Sequence, residues 1–221
     1  MSFSIEGKTA IVTGGANGVG CAIGRHFADQ GANVMFVDMD EDGLLNELGA
    51  AKDEGNVRYF AGDLREKLTM ANLLSATIDH FDQVDILVNA CRQVMVTDPL
   101  GVDDDTTETM LQQNLLNSLR LSQLVARRMI KQAAGNVESQ IGSIINLSSI
   151  AARRAHPDLM AYSIATAASD QMTRSLAVAL APHKIRVNAV AFGSVMSASL
   201  QETLKENADF RGDIEDHTPL Q

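Results

Sequence analysis

An α/β fold, built on one doubly wound parallel sheet with helices on both faces, is predicted by three observations. Short Val/Ile/Leu-rich runs alternate with longer amphipathic stretches along the chain, the order expected of βα units. The runs are continuously apolar, which suits strands buried on both faces. A glycine-rich turn directly follows the first run and opens the first helical stretch.

The candidate strands are Thr9–Thr13, Asn33–Asp38, Val57–Ala61, Asp85–Asn89, Gly142–Asn146 and Arg186–Ala191. The first helix reads as Val19–Gln30, with Val19, Ala22, Ile23 and Phe27 near one face and Gly31 as its stop. A long helix runs from Thr106 to Gln132, and another from Leu159 to Ala181 before Pro182 ends it. Gln132–Gln140 reads as a surface loop. The polar, mixed segment 194–221 is expected to be lid-like, truncated or mobile. No repeat, low-complexity linker or domain boundary interrupts the sequence, so residues 1–221 are expected to form a single domain.

Composition narrows the function classes. A net charge of −10 disfavours nucleic acid and anionic membranes as partners, since both call for a basic surface. No apolar run approaches the ~20 residues that span a bilayer. The two cysteines, Cys21 and Cys91, lie in no disulfide-like or metal-ligand spacing and are expected to be reduced thiols of a cytoplasmic protein. No metal site is expected.

The turn Thr13-Gly14-Gly15-Ala16-Asn17-Gly18-Val19-Gly20 sits where a diphosphate binds in such units. Glycines let it approach backbone N–H groups at the positive end of a helix. Asp38 ends the second strand, 18 residues after Gly20. A carboxylate there accepts hydrogen bonds from a ribose 2′-hydroxyl and repels a 2′-phosphate. Residue 15 is Gly and residue 39 is Met, so neither offers an arginine to reverse that preference, and NAD is expected over NADP. The plainer alternative is that Asp38 caps the next helix.

Downstream, Ser148-Ser149 is followed by Tyr162 after a further twelve residues, and then by Ile185-Arg186-Val187-Asn188. Together with the T-G-x-x-x-G-x-G turn, this pattern resembles the short-chain dehydrogenase/reductase family over roughly residues 5 to 200. The resemblance implies a single NAD(P)-binding Rossmann-like domain and an oxidoreductase that interconverts a secondary alcohol and a ketone by hydride transfer. It implies Ser149, Tyr162 and Asn114 as catalytic residues. Tyr162 would exchange the proton of the substrate oxygen, Ser149 would hydrogen-bond that oxygen, and Asn114 would hold a water or kink the long helix. Each has a plainer reading alone: a turn cap, a core aromatic, a buried helix amide. The cofactor residues implied are Thr13, Gly14, Asn17, Gly18, Val19, Gly20 and Asp38, the adenine-side pair Asp63-Leu64, then Asn89, Thr166 and Gly193. Ser197 occupies a place often held by a threonine that touches the carboxamide.

Several positions depart from the family pattern. The lysine four residues after the tyrosine is Thr166, and no lysine occurs between Lys131 and Lys184. A cation beside the tyrosine favours its ionised form, and in the family the lysine also binds the nicotinamide ribose. Thr166 would keep one ribose hydrogen bond without the charge, so oxidation should suffer more than reduction. Arg153 and Arg154 would bring positive charge nearby, though not on the face of Thr166. In the L-V-N-N-A-G turn, Asn89 is kept, but Ala90 replaces the second Asn and Arg92 the glycine. Arg92 must then point away from, or touch, the diphosphate or substrate. Phe192 replaces a proline in Arg186–Gly193. Members usually continue past the segment resembling His217–Leu220 with a seventh strand, without which the sixth becomes an edge.

These departures keep a second reading open, a non-catalytic dinucleotide-binding sensor or partner subunit. By resemblance the chain is expected to form a homodimer or homotetramer through Thr106–Gln132 and Leu159–Ala181, whose small residues Ala165, Ala167 and Ala168 permit close packing. The loop Ile150–Asp158 and segment 194–220 carry no pattern that names the substrate.

Overall fold

The computed structural model describes residues 4–49, 55–134, 139–195 and Gly212. Six strands, β1 (Thr9–Thr13), β2 (Asn33–Asp38), β3 (Val57–Ala61), β4 (Ile86–Asn89), β5 (Gly142–Ser149) and β6 (Ile185–Phe192), form one sheet in the order β3-β2-β1-β4-β5-β6. Every pairing is parallel. The connections are the helices α1 (Gly18–Asp29), α2 (Glu41–Leu48), α3 (Lys67–Phe81), α4 (Thr106–Leu111), α5 (Asn117–Ala133) and α6 (Met160–Leu180). This is the doubly wound architecture, in which a ligand crevice opens at the C-terminal ends of the strands where the winding reverses.

The apolar runs sort by the two-residue period of a strand. Ala10 and Val12 of β1, with Val34 and Phe36 of β2, meet Leu44 and Leu48 of α2 and Ile23 and Phe27 of α1 on one face. Ile11, Met35 and Val37 point the other way, into a core shared with Met70 and Leu73 of α3 and Leu121, Val125 and Met129 of α5. Both sides of the central strands are therefore dry, which is why their sequences do not alternate.

The strand bounds agree closely with the sequence expectation. β5 and β6 run further, to Ser149 and Phe192, because their pairing continues through Ser149↔Phe192. Asp85 lies just before β4, and its carboxylate accepts from the Thr9 amide at 2.9 Å and from Lys8 Nζ at 3.3 Å. The expected helix Thr106–Gln132 is interrupted: a π-helical turn, Gln112–Leu116, separates α4 from α5. α6 is flanked by 3₁₀ turns at Pro157–Leu159 and Ala181–His183, the second holding Pro182. Gly31 has φ +81° and supplies the predicted stop of α1. α2 is short and contains Gly43, so its periodicity does not announce a helix.

Among the described residues β6 forms one edge of the sheet. Part of the predicted loop Gln132–Gln140 lies outside the described residues, as does segment 194–221 apart from Ser194, Val195 and Gly212. Ser197 and His217–Leu220 fall there too.

Candidate functional site

The glycine-rich turn leaves β1 with Gly14 at φ +68° and Gly18 at φ +55°, backbone that side chains rarely adopt. A Cβ on Gly20 would strike the carbonyl oxygen of Gly14, so helix and turn pack without a side chain between them. Asn17 is the N-cap of α1 but its side chain makes no capping hydrogen bond, and the first turn holds no acidic residue. The helix therefore presents uncompensated N–H groups and a positive dipole end, the donor set that fits a diphosphate.

Asp38 closes one rim of this turn. Its Oδ2 accepts from the Ala16 amide at 3.2 Å and its Oδ1 from the Asp40 amide at 3.2 Å. The cap of α2 is Asp40, whose Oδ1 accepts from the Gly43 amide at 2.9 Å. The helix-capping alternative for Asp38 is thus taken by its neighbour. Asp63 and Leu64 follow β3. Leu64 is buried in the core, whereas Asp63 pairs with Arg65, whose Nε donates at 3.0 and 2.8 Å. That guanidinium holds the Asp63 carboxyl below its ordinary value.

The turn after β4 is pinned from two sides. The Thr13 hydroxyl oxygen accepts from the amides of Ala90 and Cys91, each at 3.0 Å, and so ties this turn to the end of β1. Asn114, buried inside the π-helical turn, grips Gln93 with both ends of its amide. Its Oδ1 accepts from the Gln93 N–H at 2.8 Å and its Nδ2 donates to the Gln93 carbonyl at 2.8 Å. Asn114 lies in the π-helical turn that interrupts the expected helix, and its amide is committed to the turn that carries Arg92. The extra residue of a π turn is what re-aims a side chain out of an otherwise regular helix.

Arg92 reaches across from that turn. Its Nη1 donates to the Tyr162 hydroxyl at 3.0 Å, and its Cζ lies 4.6 Å from the centre of the Phe192 ring. Phe192 is the register partner of Ser149. Arg92, Tyr162, Phe192 and Ser149 are thus gathered at the C-terminal end of β4–β6. Tyr162 is 4% exposed. The Ser149 oxygen accepts from the Ala151 amide at 3.2 Å, which fulfils its turn-capping reading while keeping the hydroxyl hydrogen as a donor. Gly193 follows directly, 3.5 Å from Ile150 Cδ1 for an added Cβ.

Thr166 is buried one turn beyond Tyr162. Its hydroxyl bonds to the carbonyls of Tyr162 at 2.9 Å and Ser163 at 3.1 Å, so it turns back onto its own helix. Arg153 is committed elsewhere: it faces Asp170 at 3.6 Å, and Asp170 accepts from the Ser148 hydroxyl at 2.6 Å. Ala165 packs with Met110 and Ala161 inside the chain, so of the small residues expected at a subunit contact only Ala167 is exposed.

Asn89 is spent inside the sheet. Its Nδ2 donates to Ser122 at 3.0 Å and to Asn146 at 2.8 Å, and Asn146 donates to Thr173 at 2.8 Å. This buried network crosses from α5 through β4 and β5 to α6 and orients the strand ends. Ser122, Asn146 and Thr173 went unread in the sequence, where single polar residues in apolar segments carry no spacing signal. Cys91 is exposed as a residue, yet loss of hydration around its thiol, with the Asp38 and Asp63 carboxylates nearby, pushes its pKa up to about 11. No group of three or more potential metal ligands occurs among the described residues.

The sequence model of the short chain dehydrogenases matches residues 8–208. The L-fucose dehydrogenase of Mus musculus is 30% identical over 98% of this chain and 76% of its own length. The 2,3-dihydroxy-2,3-dihydro-p-cumate dehydrogenase of Pseudomonas putida is 33% identical over 86% and 71%. Among solved structures, the 3-ketoacyl-(acyl-carrier-protein) reductase of Brucella melitensis complexed with NADH superposes with a TM-score of 0.81. It is 27% identical, over 90% of this chain and 80% of that one.

Proposed function

The chain belongs to the short-chain dehydrogenase family, and from that premise we propose that it is an NAD(H)-dependent oxidoreductase that interconverts a secondary alcohol and a ketone. The observation that carries the NAD reading is Asp38. Its carboxylate is held at the Ala16 amide on the rim of the phosphate turn, where it accepts from a ribose 2′-hydroxyl and repels a 2′-phosphate.

The bound dinucleotide would supply the hydride acceptor or donor. The N-terminus of α1, with Gly14, Asn17, Gly18, Val19 and Gly20, holds its diphosphate. Thr13 and Asn114 fix the neighbouring turn, and Asn89 and its network set the strand ends. Ser149 donates to the substrate oxygen while its own oxygen is anchored by Ala151. Tyr162 gives or takes the proton of that oxygen, as general acid–base chemistry requires.

Subunits pair through the outer faces of α5 and α6. α6 exposes Ile164 at 44% and Val178 at 78%, an apolar pair on one side of the helix. Two unpaired cysteines suit a reducing compartment such as the cytoplasm. No described helix is long and apolar enough to cross a membrane.

The test is titration of the protein with NADH and NADPH, followed by NADH consumption across a panel of ketones. NADH should bind at least about tenfold more tightly, since a carboxylate facing a 2′-phosphate is an unpaired repulsion. Asp38→Ala should remove most of that preference. Equal binding of the two would refute the cofactor assignment. Binding of NADH with no turnover of any ketone or alcohol would favour a sensor or partner subunit.

A further inference from the structure

Two departures from the family pattern, distant in sequence, meet beside one phenol, and a third lies one turn along the phenol's own helix. By the resemblance, Arg92 stands where the turn after β4 would have glycine, Phe192 at the end of β6 where the pattern would have proline, and Thr166 where α6 would have lysine. The Arg92 Nη1 lies 3.0 Å from Tyr162 Oη, with its Cζ 4.6 Å above the Phe192 ring. Thr166, its hydroxyl bound to two carbonyls of its own helix, contributes no charge. We propose that Arg92 is a catalytic residue, the cation that stabilises the Tyr162 phenolate in place of the absent lysine, and that Phe192 is its positioning residue. This rests on the reading of Tyr162 as the proton-exchanging group.

The chemistry favours the assignment. A guanidinium stays charged at any working pH and presents its N–H groups in a rigid plane. The same plane lies flat on an aromatic face, where the ring quadrupole attracts it. An arginine on a loop would otherwise sample many rotamers. The Phe192 ring on one side and the phenol at its tip give this exposed side chain two partners. Tyr162 is buried, so a phenolate there has little water to solvate it and depends on a fixed donor. On the neighbouring elements, Asp170 of α6 accepts from Ser148 and faces Arg153 of the β5–α6 connection, while the Asp38 and Asp63 carboxylates act on Cys91. Cys91, next to Arg92, holds its proton up to about pH 11.

In alcohol oxidation the carbinol C–H electrons leave as hydride to the oxidised nicotinamide. The alcohol O–H proton bonds to the phenolate oxygen, and the C=O bond forms. In reduction the phenol gives its proton to the carbonyl oxygen, and the guanidinium N–H takes up the charge left behind. A cation at Tyr162 therefore assists whichever direction needs the phenolate first, which is oxidation.

The chain has two tyrosines, Tyr59 and Tyr162, and no tryptophan, so in a Tyr59→Phe background the tyrosinate absorbance reports Tyr162 alone. The experiment is a pH-jump titration of that absorbance without cofactor, read before the chain unfolds, for the background protein and with Arg92→Gln, Arg92→Lys or Phe192→Leu added. Arg92→Gln should move the curve to higher pH, the direction expected on losing an adjacent opposite charge. Arg92→Lys should recover most of the loss, and Phe192→Leu should show a smaller displacement in the same direction. Arg92→Gln should also slow alcohol oxidation at least about tenfold and move its pH profile alkaline, with NADH affinity little changed. An unmoved absorbance curve in Arg92→Gln overturns the proposal. So does faster turnover in that variant, which would make Arg92 a plug over the phenol. If no variant binds NADH, the proposed function fails, while the absorbance curve still decides the role of Arg92.

Discussion

Replacing Asn114 by alanine tests how the turn bearing Arg92 is held. The side chain makes two hydrogen bonds of 2.8 Å to the backbone of Gln93. Each such bond contributes about 0.5–1.5 kcal/mol net, which sets a loss of about 1–3 kcal/mol. The larger penalty of buried, unpaired groups does not apply, because Gln93 is exposed and water can replace the lost partner. For a chain of 221 residues, that loss lowers Tm by about 2–12 °C, at roughly 2–4 °C per kcal/mol. Urea or thermal melts measure it. Amide exchange gives the local readout, since the Gln93 N–H should lose its protection while the central strands keep theirs. Asn114→Asp separates geometry from volume: it keeps the acceptor for the Gln93 amide but sets a carboxylate against the Gln93 carbonyl, and should be no more stable than Asn114→Ala. A melt within about 0.5 kcal/mol of the parent, with Gln93 still protected, would falsify the idea that Asn114 anchors this turn.

Three other outcomes are expected. Gly24→Val drives a side chain into the Phe36 ring, whose Cζ would lie 2.7 Å from the new Cβ; overpacking should cost at least about 1–3 kcal/mol in a chemical melt, and an unchanged midpoint would show that the ring can move. Cys91, with its thiol pushed up to about 11, should alkylate roughly a hundredfold more slowly at neutral pH than a thiol of ordinary pKa, despite its exposure; mass-resolved labelling at the rate of a free thiol would contradict this. Asp63 is held below its ordinary 3.8 by Arg65, so its contribution is fully present above that value and is lost as pH falls through the depressed native one. The pair is partly exposed, so Asp63→Asn should cost less than about 1 kcal/mol at pH 7, and the difference from the parent should vanish in melts well below pH 3.8.

Much of the scaffold is legible in the sequence because its causes are local. A strand buried on both faces is apolar through its middle, so β1, β2 and β4 stand out as runs. A phosphate turn must hold glycine where φ is positive, so Gly14 and Gly18 are fixed by backbone geometry. Asp38 follows from its place at the end of the second strand. Boundaries were less legible where pairing sets them: β5 and β6 extend to Ser149 and Phe192 because each lends the other hydrogen-bond partners. The π turn at Gln112–Leu116 has no periodic signature, and the Asn114 within it is paired with a loop 21 residues earlier.

The sequence by itself determined the fold class, the position of the glycine-rich turn and the carboxylate beside it, because each depends on residues close together along the chain. The resemblance read from it also marks Thr166, Arg92 and Phe192 as departures, but as three separate ones. Only the tertiary structure brought Arg92 and Phe192 together beside Tyr162, since residues 92, 162 and 192 come from three different segments that meet when the parallel strands align their C-terminal ends. The same folding sends the Thr166 hydroxyl back to its helix and Asn89 into a buried network. A side chain's partner is decided by which strand ends are neighbours, and that order, β1-β4-β5-β6, is a property of the packed sheet.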